Sequence, residues 1–247
     1  MKRTASDLPM RVLLVTHEPE PGSMVSALAR TLRAAGMDAR ILAPCGPGIN
    51  RTPLYRHPEP VPVELGTREH FVAILTASHR DDSSVPVYLV DHQDFFARSH
   101  DDGDDPHTRI ERAAFLSATA YAACRALYWT PHVMHAFGWQ TSGVPVWGRT
   151  RERRRGFSET GMVLTTTDDT EPSGDAMVLA RLGVRVEQAI AMGIYSDDGV
   201  SLLKAGQAHA DACLSSEETV STRPGQWKKR YLSISDSLIR RDSLSMR

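Results

Sequence analysis

The chain opens with a strand, a helix and a second strand in immediate succession, and this order constrains the fold more than any other feature. Met10 to Thr16 (MRVLLVT) is a continuous apolar run, which is typical of a strand buried on both faces of a sheet. The apolar residues of the next segment recur at helical spacing: Met24, Val25, Leu28 and Leu32. Ser23 can cap this helix and Gly36 can end it, and Ala39 to Ala43 follows as a strand. The sequence therefore predicts a βαβ unit and a parallel sheet.

The alternation of strands and helices continues through most of the chain. Further strands are predicted at 61–65, 71–76, 85–90, 132–135, 161–166 and 212–214, and the first two are expected to form an antiparallel hairpin. Helices are predicted over about 108–128, 140–151 and 199–209, with Pro145 kinking the second. We predict an α/β fold with a Rossmann-like, doubly wound and mostly parallel sheet. Residues 10–220 would form this domain, 1–9 an N-terminal extension and 221–247 a basic, Ser-rich tail.

Charge, cysteine spacing and the length of the apolar runs exclude several classes of protein and of binding site. The 247 residues carry a formal net charge of −1, so we expect no nucleic-acid partner. The three cysteines, Cys45, Cys124 and Cys213, are far apart, which argues against a disulfide framework or a zinc site; we expect Cys124 and Cys213 to be buried. With no long apolar run and no signal-peptide pattern, we predict a cytoplasmic protein without a membrane partner. The chain shows no metal-ligand spacing, GxGxxG motif or P-loop, so we predict no metal and no cofactor.

Polar residues collect where the predicted parallel strands end. These segments are 16–18 (THE), 91–92 (DH), 135–138 (HAFG) and 165–169 (TTTDD). Ligands of doubly wound sheets bind beyond the carboxyl ends of the strands, so this edge is the expected site. His135 is interpreted first as a hydrogen-bonded core histidine rather than as a catalytic one.

Four blocks of sequence, in this order, resemble one family of glycosyltransferases. They are the opening βαβ unit, Val85 to Arg98 (VPVYLVDHQDFFAR), Glu111 to Thr141, and Ser201 to Glu218. Together they resemble the N-terminal half of bacterial glycogen synthases and plant starch synthases (the GT5 type), which are retaining enzymes of the GT-B fold. The resemblance implies one Rossmann-like half of a GT-B protein, whose sugar-nucleotide donor is held in a cleft between two domains.

The resemblance also implies which residues belong to the site, and the departures from the family pattern fall there. Positions that would remain from the family site are Glu18, Gly22, Asp91, His135, Trp139, Gln140 and Thr141. Phe137 and Gly138 occupy the places of a family histidine and aspartate, and Thr108-Arg109 replaces an Asp-Asn pair. The loop from His17 to Met24 lacks the family's Lys-Thr-Gly-Gly stretch, and the chain ends about where a second domain would begin.

From these departures we interpret the chain as a non-catalytic, glycogen-synthase-like module with no catalytic residue, which would bind or regulate a protein or a small anionic ligand. Two alternatives stay open. One is an ADP-glucose-dependent glucan synthase half that is completed by another chain, and the other is a glucan-binding protein. Loss of the second domain would expose an interdomain face, so we expect a homo-oligomer or a protein partner there or at the tail.

Two basic segments are candidates for binding an anion, a nucleotide or a partner. The first is the end of a predicted helix, with Arg149, Arg151, Arg153, Arg154 and Arg155, although a solvated helix end is the simpler interpretation. The second is the tail, with Lys228, Lys229, Arg230, Arg240 and Arg241. The apolar spacing of the tail permits an amphipathic helix that could dock on a partner, and Ser243 follows basic residues as in a kinase site.

Overall fold

The predicted βαβ opening forms in a computed structural model that describes residues 9–18, 23–78, 85–97 and 104–245. Strand β1 (Arg11–Val15) pairs in parallel with β2 (Asp38–Pro44), and helix α1 (Met24–Ala34) connects them. Ser23 caps α1, because its side chain accepts a hydrogen bond from the amide of Ser26.

Within the described residues nine strands form one sheet, in which the order is β11-β8-β7-β1-β2-β6-β5-β3 and β4 pairs separately with β5. The six strands from β11 to β6 are parallel, whereas β5 is antiparallel to β6, β4 and β3. The predicted hairpin is therefore confirmed as β4 and β5. The remaining strand bounds are β3 (Tyr55–Arg56), β4 (Val61–Leu65), β5 (Arg68–Ser78), β6 (Pro86–Asp91), β7 (Val133–Phe137), β8 (Gly161–Thr166), β9 (Tyr195–Ser196), β10 (Gly199–Val200) and β11 (Ala212–Ser215).

The other helices are α2 (Gln93–Phe96), α3 (Pro106–Ala126), α4 (Gly143–Arg149), α5 (Ala176–Leu182), α6 (Val186–Ala191), α7 (Leu202–His209), α8 (Ser216–Ser221) and α9 (Pro224–Ser245). The helix predicted over 140–151 is wrong in its bounds: a 3-10 turn over Trp139–Thr141 comes before α4. Pro145 accordingly lies in the first turn of α4, where an amide has no intrahelical acceptor, so it produces no kink. The helix predicted from residue 199 begins instead at Leu202, since Gly199–Val200 pairs with β9.

Each face of the sheet carries its own core, because successive strand residues point to opposite faces. Leu13 and Val15 of β1 pack on one side with α3, α4, α5 and α7, whereas Val12 and Leu14 pack on the other with α1 and α9. Cys124 is buried as predicted, but the prediction for Cys213 is wrong. Cys213 lies on the edge strand β11, where alternate residues face solvent.

Helix α9 makes up most of the basic tail and packs against the rest of the domain. Its apolar residues follow helical spacing and are buried against α1 and the sheet: Trp227, Tyr231, Ile234 and Leu238. Leu232 is turned outward, while the side chains of Arg240, Arg241 and Ser243 lie outside those that the structure describes. The amphipathic helix is thus present, and between Trp227 and Leu238 its apolar face is used inside the chain.

Candidate active site

The candidate site lies at the carboxyl ends of β1 and β7, where the order of the strands in the sheet reverses direction. From β1 the chain crosses to β2 on one side, and β7 lies on the other side of β1. A crevice opens at such a switch point, where ligands of doubly wound sheets bind. His17 follows β1 and Gln140 follows β7, and their Nε2 atoms are 3.2 Å apart. Two residues distant in sequence therefore meet at the expected edge.

Helices α2 and α3 complete a cleft at this crevice. The residues that line it are His17, Phe96, Arg109, Arg112, Ala113, Leu116, Trp139 and Gln140. Arg109 and Arg112 lie one turn apart on α3, so both guanidinium groups come from the same side of the helix. The Arg109 guanidinium carbon lies 5.5 Å from the ring centre of Trp139, within the range of a cation–π contact.

Several polar atoms of the cleft residues are buried but lack a hydrogen-bond partner within the described parts of the chain. They are Nε1 of Trp139, Oε1 of Gln140 and Nε of Arg112. Such atoms cost about 1–3 kcal/mol each when nothing satisfies them, so native proteins normally pair them with water or a ligand. Two N–H donors and one carbonyl acceptor are what a hydroxylated or phosphorylated molecule can satisfy.

Gly138 makes the turn that brings Trp139 and Gln140 into the cleft. Its φ is +76°, a conformation that L side chains rarely adopt, and its amide donates to the carbonyl of Thr165 at 2.9 Å. A Cβ atom at this position would lie 2.7 Å from Oε1 of Gln140. Glycine is therefore required by this backbone, and Thr141 fixes the turn by donating from Oγ1 to the carbonyl of Phe137 at 2.8 Å.

His17 is largely buried in the cleft wall. Burial lowers the pKa of His17, and the negative charge of Asp169 opposes this shift without cancelling it. The neutral ring keeps one donor and one acceptor nitrogen at neutral pH, which suits it to hydrogen bonding more than to carrying a fixed charge.

Comparison with known proteins assigns the family. The starch synthase catalytic domain family matches residues 11–222. The chain belongs to this family. The match covers every strand of the large sheet and the cleft between β1, β7 and α3.

The chain is similar in sequence to several bacterial glycogen synthases. It is 32% identical to the glycogen synthase of Treponema denticola over 167 residues, covering 63% of this chain and 34% of that protein. It is 28% identical to the glycogen synthase of Syntrophotalea carbinolica over 224 residues, covering 85% of this chain and 46% of that protein. The chain thus spans less than half the length of these curated relatives.

A solved structure confirms the fold that the resemblance implied. The catalytic domain of starch synthase IV from Arabidopsis thaliana, bound to ADP and acarbose, superposes with a TM-score of 0.71. The sequences are 17% identical, and the superposition covers 83% of this chain and 44% of that one. The domain is therefore α/β with a mostly parallel sheet, of the kind found in GT-B glycosyltransferases.

Our interpretation of the chain as a non-catalytic module is wrong. The relatives that match it over as much as 85% of its length are named glycogen synthase, which favours the glucan synthase alternative. The structure also removes one reason for that interpretation. Phe137 packs on the α1–α9 face of the sheet and stacks on His135, with ring centres 4.2 Å apart, so it does not line the cleft. Gly138, in turn, is required by its φ.

The structure divides the remaining family positions between cleft and scaffold. His135 is completely buried, and its ring nitrogens are hydrogen-bonded to the hydroxyls of Tyr231 at 2.8 Å and Thr165 at 2.7 Å. Burial lowers the pKa of His135 to about 3. Asp91 lies outside the cleft lining, and its Oδ1 accepts a hydrogen bond from Nη2 of Arg51 at 3.1 Å. Oε1 of Glu18 lies 3.3 Å from Nε2 of His17. Gly22 lies outside the described residues.

The clustered arginines include members that contact acceptors of the protein itself. Arg149 pairs with Asp211, Arg151 with Glu152 and Arg155 with Glu64. Glu152 is completely buried. Arg153 and Arg154 are exposed, as are Lys228 and Lys229 on α9, and Arg230 lies over the ring of Trp227.

Sequence reasoning did not predict four of the residues that line the cleft: Phe96, Arg112, Ala113 and Leu116. Arg109 was noticed only as a departure from the family pattern. The signal was available, because two arginines at i and i+3 near the start of a helix share one side of it. It was hidden because α3 is buried on nearly all sides, so that no face stood out as the one toward the sheet.

The described residues contain neither a membrane-spanning helix nor a cluster of metal ligands. In the ranges that the structure covers, no helix could cross a membrane. Nor do those ranges contain a group of three His, Cys, Asp or Glu side chains able to hold a metal ion.

Proposed function

We propose that this chain forms one wall of the active site of a glucan synthase, which transfers glucose from ADP-glucose to a growing glucan. The opposite wall would come from a second domain, as in the GT-B fold that the resemblance implies. Membership of the starch synthase catalytic domain family and relatives named glycogen synthase support this proposal.

The observation that carries the proposal is the set of unsatisfied polar atoms in the cleft at the switch point. The indole N–H of Trp139 and the side-chain oxygen of Gln140 are buried and unpaired among the described residues. ADP-glucose carries hydroxyls, which donate and accept, and phosphoryl oxygens, which accept, so one donor molecule could satisfy both atoms, while the Trp139 ring offers an apolar surface. In this proposal the chain binds and orients the substrate, and the facing unit excludes water.

Calorimetric titration of the purified chain with ADP-glucose, ADP and maltotetraose tests the proposal. We expect ADP-glucose to bind, since the donor must be held for transfer. Binding of maltotetraose alone would favour the glucan-binding alternative, and binding of none of the three would contradict both. Transfer itself is measured as labelled glucose incorporated into glycogen, with the chain alone and with the C-terminal half of the Syntrophotalea carbinolica enzyme added as a separate polypeptide.

Two tryptophans allow a matched test of the cleft. Trp139→Phe keeps an aromatic ring but removes the unpaired N–H, and we expect ligand binding to weaken by about tenfold, the value of one good hydrogen bond. Trp147→Phe is the control, because Nε1 of Trp147 is also buried and unpaired among the described residues but lies outside the cleft lining. Equal effects of the two substitutions would show that the N–H of Trp139 does not contact the ligand.

We further propose a cytoplasmic location, and an oligomer or protein partner that covers the face completing the cleft. Light scattering after size-exclusion chromatography measures the oligomeric state, and a monomer at micromolar concentration would contradict the homo-oligomer.

A further inference from the structure

Arg109 is the cleft residue whose charge the described part of the chain does not balance. Its neighbour Arg112 pairs with Asp104, and Arg181 on the adjacent α5 lies near Asp105 and Glu111. Arg109 pairs with no carboxylate among the described residues, and its guanidinium lies over the ring of Trp139. No acidic side chain of the described residues lines the cleft. Among the described residues, nothing therefore compensates the positive charge of Arg109 in the cleft.

Two buried N–H donors lie in the same cleft. Trp139 is 3% exposed and Arg112 is 4% exposed, yet Nε1 of the first and Nε of the second have no acceptor among the described residues. A water molecule could satisfy one N–H but would not balance a guanidinium charge. In the part of the chain that the structure describes, unpaired donors of the cleft outnumber unpaired acceptors beside the Arg109 guanidinium, which favours an anionic ligand with several acceptor oxygens.

We propose that Arg109, together with the Nε–H of Arg112 and the indole N–H of Trp139, forms a subsite for a phosphoryl group of the substrate. A planar guanidinium can donate two parallel hydrogen bonds to phosphate oxygens, and stacking near the Trp139 ring holds its plane in place. The inference rests on the proposed transferase function. The phosphoryl group belongs either to the diphosphate of the sugar-nucleotide donor or to a phosphorylated sugar acceptor.

Calorimetry at fixed ionic strength separates these sources. The ligands are ADP-glucose, ADP, glucose 1-phosphate, inorganic phosphate and neutral maltotetraose. For Arg109→Gln we expect binding of the phosphoryl ligands to weaken by about tenfold or more, as for a lost charge-assisted hydrogen bond, with maltotetraose unaffected. Arg109→Lys keeps the positive charge but cannot donate two parallel hydrogen bonds. We expect its Kd for the phosphoryl ligands to lie between those of wild type and Arg109→Gln. Arg56→Gln, an exposed arginine of β3, is the control, and thermal unfolding checks that each variant folds.

Each outcome decides a separate question. Equal Kd values of wild type and Arg109→Gln for ADP-glucose would overturn the subsite and leave the proposed function standing. An Arg109-dependent Kd for glucose 1-phosphate, without binding of ADP-glucose, would retain the subsite and contradict the proposed donor. A loss confined to ADP and ADP-glucose identifies the donor diphosphate as the source. A wild-type chain that binds none of the phosphoryl ligands overturns the inference.

Discussion

At the scale of single residues, the hydroxyl of Tyr231 joins α9 to the centre of the sheet through His135. The two side chains are completely buried, and Tyr231 Oη is 2.8 Å from His135 Nδ1. Tyr231→Phe removes the hydroxyl and leaves a buried ring nitrogen unpaired, so we expect the free energy of unfolding to fall by about 1–3 kcal/mol. Urea denaturation measures the change. Tyr55→Phe, at a tyrosine that is 68% exposed, is the control, and an equal effect there would contradict the role of the bond.

The same histidine makes stability depend on pH. Burial holds the pKa of His135 at about 3 in the folded chain, below its ordinary value of 6.5. As pH falls below 6.5, His135 becomes protonated in the unfolded chain but stays neutral in the folded chain. The free energy of unfolding is therefore at its full value above pH 6.5 and decreases below it. The slope from one such histidine reaches about 1.4 kcal/mol per pH unit.

Urea denaturation between about pH 7.5 and 5.5 tests this dependence in wild type and in His135→Gln, which has no titrating ring. We expect a shallower slope in the variant. Some slope remains, because burial also lowers the pKa of His17, His92 and His132. Identical slopes in the two proteins would show that His135 is protonated in the folded state.

At the scale of elements, two glycines let the β4–β5 hairpin rest directly on the end of α5. A Cβ atom on Gly66 would lie 2.3 Å from the Cα of Gly183, and Gly66 has a φ of +61°. We expect Gly66→Ala to cost about 2–4 kcal/mol, because it adds a backbone clash to conformational strain. Gly36→Ala isolates the strain, since φ is +80° there with nothing within 4 Å of the added carbon. Thermal unfolding measures the stability of both variants. Equal losses of stability would mean that the hairpin shifts away from Gly183 and relieves the clash.

Elements with a clear apolar period were predictable from sequence, and those shaped by tertiary contacts were not. The strand at Met10 to Thr16 and the helix capped by Ser23 carry local signals, and both form. The turn at Trp139 to Thr141 depends on Gly138 bonding to Thr165 on a neighbouring strand, a contact that no local pattern reports. The same limit explains why Arg112 was missed, because its cleft exists only once β1, β7 and α3 are assembled.

At the scale of the whole molecule, α9 contributes to the same folded unit as the strands that form the cleft. The family match ends at residue 222, and α9 begins at Pro224. Even so, Trp227 and Tyr231 are 1% and 0% exposed and pack with Phe137 in the core shared with α1. Burial of each large apolar side chain contributes about 1.5–3 kcal/mol, against a typical domain stability of about 5–15 kcal/mol.

A chain ending at Thr222 should therefore unfold at a much lower temperature than the full chain, or aggregate through the uncovered face of the sheet. Trp227→Ala is the milder version and should cost about 3–5 kcal/mol by leaving a large cavity. Leu232→Ala is the control on the outer side of α9, where the side chain is 40% exposed, and we expect less than about 1 kcal/mol. Calorimetric unfolding measures all three. If α9 instead acted as a free segment for docking on a partner, the truncated chain would keep the unfolding temperature of the full chain.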